Sequence, residues 1–74
     1  MAFKFEVEKH LAPLQDEYSS DGFRLELNLV SFNDRKAKYD IRPWDEHHEN
    51  MKKGISLTKE QAVKLRDALN AADL

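Results

Sequence analysis

Phe23-Arg-Leu-Glu-Leu-Asn-Leu-Val-Ser-Phe32 decides the fold. Its side chains alternate with the two-residue period of a strand. Phe23, Leu25, Leu27 and Leu29 share one face, and Arg24, Glu26, Asn28, Val30 and Phe32 share the other. The leucine face reads as core. The mixed face reads as the one turned to solvent or a ligand, with a large ring, Phe32, among charged and polar neighbours.

Outward from this strand the pattern repeats. Upstream, Phe3, Phe5 and Val7 alternate with Lys4, Glu6 and Glu8, and Pro13 ends that strand or sits on an edge. Ser19-Ser-Asp-Gly22 is a turn signal. Downstream, Asn33-Asp34 opens a hairpin connection. Lys38-Tyr-Asp-Ile-Arg42 alternates again, and if the period holds through Pro43, Trp44 joins Lys38 and Arg42 on the mixed face. Pro43 interrupts that alternation and leaves an inward orientation of Trp44 open. Residues 45–53 form a hydrophilic loop, and Gly54-Ile-Ser-Leu57 is a short fourth strand. Thr58-Lys-Glu-Gln61 has capping-box spacing before a helix whose apolar positions are Ala62, Leu65, Leu69 and Ala72.

The order predicts an α+β domain over residues 1–74, a curved four-stranded antiparallel sheet followed by one C-terminal helix. One helix covers one face of such a sheet, which leaves the other free. At 74 residues the chain buries only about 60% of its unfolded surface, and without cysteine it has neither disulfides nor thiolate metal sites. Oligomerisation is the remaining common way to stabilise so small a core. A symmetric homodimer is therefore expected. The helix stripe serves as dimer face, as cover for its own sheet, or both.

The formal net charge of −2 argues against a crude polyanion binder, but its distribution is uneven. Residues 1–22 carry two lysines against five acids, whereas residues 35–44 set Arg35, Lys36, Lys38 and Arg42 against Asp40 alone. A local basic stripe steers an anionic ligand even in an acidic chain. Aromatic rings beside such cations suit unpaired nucleobases, because stacking on a ring contributes about 1–3 kcal/mol per base. The alternative is that the rings cap the core edge or fill an interface with another protein.

Lys38-Tyr-Asp-Ile-Arg-Pro-Trp44, Met51-Lys-Lys-Gly-Ile-Ser-Leu-Thr58 and Glu26-Leu-Asn-Leu-Val-Ser-Phe-Asn-Asp34 resemble the positive cofactor four family of transcriptional coactivators, especially its short prokaryotic members. The resemblance spans roughly residues 23–70. It implies a symmetric dimer held by the helices and the nearby strand, with single-stranded DNA lying across the sheets of both subunits. It places stacking rings at Phe32 and Trp44, and phosphate-pairing groups at Arg35, Lys36, Lys38, Arg42, Lys52 and Lys53, with Asn28 near a base or the backbone. Arg24 shares their face by alternation. Ala62, Leu65, Leu69 and Ala72 are the expected dimer contacts. Leu29 stands where the resemblance implies a basic residue in some relatives, and its own alternation assigns it to the core.

Other chemistry is poorly supported. His47-His48-Glu49 are adjacent residues, which seldom chelate one ion, and no second pair lies at metal spacing, so a solvated loop is expected there. Ser56 falls in a strand rather than a nucleophile elbow, and the glycines, Gly22 and Gly54, build no phosphate loop. The expectation is a non-enzymatic protein without metal or cofactor. Its partners are single-stranded nucleic acid, itself, and transcription or replication proteins. The N-terminus alternates charge with apolar residues, unlike a signal peptide or membrane span, and the expected location is cytoplasmic and nucleoid-associated.

Overall fold

The computed structural model describes residues 4–74. It contains β1 (Phe5–Pro13), β2 (Phe23–Phe32), β3 (Lys38–Asp45), β4 (Ile55–Leu57) and α1 (Lys59–Ala72). The strands form one antiparallel sheet in the order β1-β2-β3-β4, each beside its sequence neighbour. The expected element order and topology are thus present, and β2 has the bounds its alternation predicts. Phe3 lies outside the described residues.

Local chemistry accounts for the connections. Asn33 and Asp34 both have positive φ, and the Arg35 amide donates to the Phe32 carbonyl at 3.1 Å. This is the mirror-image turn that matches strand twist, at the kind of residue that tolerates it. Gly22, at φ 86°, closes the turn before β2. Gly54 has a different role: a Cβ there would run into the Ile41 carbonyl and the Arg42 backbone and Cβ, so β4 approaches β3 only because this position has no side chain. The α1 capping box is complete, with the Thr58 hydroxyl accepting from the Gln61 amide at 3.1 Å and the Gln61 side chain accepting from the Thr58 amide at 2.9 Å.

The core sits on the face that alternation assigns to solvent. Val30 and Trp44 are 0% exposed, and Glu26, Asn28 and Asp40 are buried beside them. Leu25, Leu27 and Leu29 are only half-buried. Curvature explains the inversion. Phe5 pairs with Phe32 at one end of β2, and Trp44 pairs with Arg24 at the other. Eight residues of flat strand would hold these positions about 26 Å apart. Yet the Phe5 and Trp44 rings lie 5.2 Å apart. The sheet therefore closes over its mixed face, helped by register shifts in β1 between Val7 and Lys9 and between His10 and Ala12.

The helix flanks the opposite, leucine face near β3 and β4 and buries none of its residues. Ala62 and Val63 are half-buried, while Leu65 and Leu69 are 39% and 47% exposed. An open groove of about 330 Å³ runs between sheet and helix, lined by Leu27, Tyr39, Ile41, Leu57, Leu65 and Leu69. No helix among the described residues is long and apolar enough to cross a membrane.

Candidate nucleic-acid interface

The two rings singled out by the sequence have separate fates. Phe32, at the end of β2, is half-buried, and the Arg42 guanidinium lies 4.7 Å from its ring centre. Trp44 is not the uncovered platform expected of it. Its indole packs against Phe5 and, at 5.5 Å, against His48. Pro43 does not turn it to the leucine face. Trp44 keeps the strand alternation opposite Arg24, and the curl of the sheet encloses it. Its Nε1–H has no hydrogen-bond acceptor among the described residues. An unsatisfied buried donor costs about 1–3 kcal/mol, which the packing of this large ring must offset.

The cations divide in the same way. Arg42 is fixed by the fully buried Asp40, whose carboxylate accepts from Nε at 2.6 Å and Nη2 at 2.7 Å and from the Ser56 hydroxyl at 2.8 Å. Arg24 donates to Glu26 at 3.0 Å and stacks 4.7 Å from the Tyr18 ring centre. Lys52 pairs with Asp21 and lies 4.8 Å from the Phe23 ring centre. Each of these three expected phosphate-pairing cations thus has a carboxylate partner: Glu26 and Asp40 share the sheet face of Arg24 and Arg42, and the turn before β2 brings Asp21 to Lys52. Asn28 is also beneath the surface, where its amide donates to Glu26 Oε1 at 3.0 Å. Arg35, Lys36, Lys38 and Lys53 are exposed. The first three follow Phe32 directly, through the β2–β3 turn.

A polar cluster that no sequence pattern indicated lies near the other end of β2. His48, at φ 56°, points its ring from the β3–β4 loop onto the sheet, and its Nε2 is 2.7 Å from Glu26 Oε1. His10 of β1 meets the His48 ring edge-on at 4.7 Å. Burial pushes the Glu26 carboxyl up, but hydrogen bonds from Asn28, His48 and Arg24 outweigh it and hold the group below its ordinary 4.5. His48 is thus not part of a solvated loop, whereas His47 is exposed. Residues 10, 26 and 48 are far apart in sequence, so only the paired strands reveal their proximity.

The four-stranded sheet, capped helix and basic turn beyond Phe32 define a small α+β domain with a ring-and-cation edge. Residues 19–68 match the family described as Transcriptional Coactivator p15 (PC4), and the chain belongs to that family. It is also 42% identical over 72 residues to a protein of Treponema pallidum (strain Nichols), covering 97% of this chain and 82% of the relative, which is described only as an uncharacterized protein.

Proposed function

We propose that the chain binds single-stranded nucleic acid with little sequence preference, at the edge formed by Phe32 and the basic turn that follows it. The observation that carries this reading is the half-buried Phe32 ring, with the Arg42 guanidinium beside it and the exposed Arg35, Lys36 and Lys38 next along the chain. An unpaired base stacks on the accessible part of the ring while the exposed cations meet phosphates and release counterions. Lys53 extends the basic surface. Trp44 and Asn28 are left out of the contact set because they are enclosed. Family membership supports the reading, since the PC4 domain is a nucleic-acid-binding and non-enzymatic one. The process served is transcription regulation or DNA metabolism.

The same reading includes a symmetric dimer. The groove between α1 and the sheet and the exposed Leu65 and Leu69 leave apolar surface that a second copy would cover, with Ala62 and Ala72 on the same helix. Leu65→Glu with Leu69→Glu should then sediment as a monomer where the parent chain sediments as a dimer.

The direct test is anisotropy of a labelled oligo-dT against a duplex of equal length, with salt varied. Tighter single-strand binding that weakens steeply with salt supports the proposal, as does loss on Phe32→Ala. Equal affinity for duplex removes the stacking mechanism. Salt-insensitive capture of a protein, with no oligonucleotide retained, would favour an interaction module instead.

A further inference from the structure

We infer that His10, Glu26 and His48 form a three-ligand site for a divalent transition-metal cation of the zinc class. Their ligand atoms, two imidazole nitrogens and a carboxylate oxygen, all lie within 4.8 Å of one another. They come from three separate elements: β1, β2 and the β3–β4 loop. Two histidines and one glutamate with a fourth position open to water is a donor set that zinc accepts.

The distances fit an ion after a small adjustment. Zinc bonds of about 2.0–2.2 Å in a tetrahedron separate the ligand atoms by roughly 3.4 Å. His48 Nε2 and Glu26 Oε1 are now 2.7 Å apart, so an entering ion spreads that pair slightly and draws the exposed His10 ring inward. Glu26 is prepared for the role. Arg24 holds its Oε2, and Asn28 donates to Oε1 at 3.0 Å, leaving the latter oxygen directed at His48. Such outer partners orient a ligating carboxylate, although the charge of Arg24 also lowers affinity for a cation. A cavity of about 390 Å³ beside Glu26, Asn28, His10 and His48 supplies the entry path and room for water.

The loop that carries His48 is fixed independently. Asp45 accepts from the Glu49 amide at 2.9 Å, the Asn50 amide at 3.1 Å and the Asn50 side chain at 2.8 Å. A bound ion would tie this loop to β1 across β2, beside Trp44. It would clamp the closed side of the sheet without using Phe32 or the exposed basic turn, so the inference stands apart from the nucleic-acid reading.

The experiment uses the full, untagged chain stripped with chelator and titrated calorimetrically with zinc chloride. One ion per chain is expected. Removing a ligand should weaken binding more than the 10–100-fold typical of an outer partner, so His10→Ala and His48→Ala should each cost at least about a hundredfold. His47→Ala should leave binding unchanged. Cobalt(II) should give the intense visible bands of tetrahedral coordination and quench the emission of the single tryptophan, whose ring lies 5.5 Å from that of His48. Because His10 is exposed, His10→Ala tests the site without disturbing the core. Absence of zinc binding at millimolar concentration would overturn the inference. So would binding lost in His47→Ala but kept in His10→Ala, the mark of an adventitious loop site.

Discussion

The Phe5 and Trp44 rings meet at 5.2 Å, tilted 57° to each other, although the strand register places them at opposite ends of β2. This contact closes the mixed face of the sheet. It turns a ring expected to receive nucleobases into the largest fully buried side chain among the described residues.

Trp44 should therefore behave as a core residue. Trp44→Ala should lose about 3–5 kcal/mol in urea unfolding, as buried aromatic truncations do. Trp44→Phe keeps an aromatic ring and removes the unsatisfied N–H, so it should lose less than about 1.5 kcal/mol. Oligonucleotide affinity of the phenylalanine variant should match the parent. A selective loss of affinity in that folded variant would return Trp44 to the binding surface.

Arg42 and Lys38 should separate structure from recognition. Arg42→Ala strands the buried Asp40 carboxylate and should cost about 3–5 kcal/mol of stability. Lys38 is exposed, so Lys38→Ala should alter stability by no more than about 0.5 kcal/mol. If Lys38 meets a phosphate, its loss should reduce the slope of log affinity against log salt by about one, read from anisotropy titrations.

Gly54→Ala should destabilise the sheet by about 1–3 kcal/mol, the cost of overpacking, because the new methyl meets the Arg42 and Ile41 backbone rather than a flexible chain end. Thermal unfolding followed by far-ultraviolet circular dichroism reads this directly. Gly22→Ala has open space around its Cβ and should be limited to the penalty of its positive φ.

Asp21 titrates below its ordinary 3.8, first because Lys52 donates to it and then because the Phe23 amide does. A carboxyl depressed in the folded state stabilises the fold above the unfolded value and loses that contribution as pH falls through the folded one. Asp21→Asn should therefore lower the melting temperature slightly at pH 7, and the difference from the parent should shrink as the pH falls below 3.8 and through the depressed folded value. Carboxyl NMR of the parent chain should place the Asp21 midpoint below 3.8. The same substitution releases Lys52, and a gain in oligonucleotide affinity would identify this lysine as a phosphate contact.

Local rules carried much of the fold. The two-residue period located β2 and β3, Asn33-Asp34 marked the turn between them, and Thr58 with Gln61 announced the helix start. The candidate edge was legible where it depended on neighbours in sequence: Phe32 is followed within six residues by Arg35, Lys36 and Lys38. Alternation failed on burial. It assumes a flat sheet in which the polar face meets water, whereas Glu26, Asn28 and Asp40 are buried with their hydrogen-bonding partners supplied from the same face.

From sequence alone came the strands, their order, the helix cap and the basic turn, because each rests on contacts a few residues long. Tertiary structure decided which face is inside, which cations pair with carboxylates among the described residues, and that His10, Glu26 and His48 converge. Those outcomes depend on sheet curvature, which the bulges of β1 and the packing of Phe5 on Trp44 set across distances that no local pattern encodes.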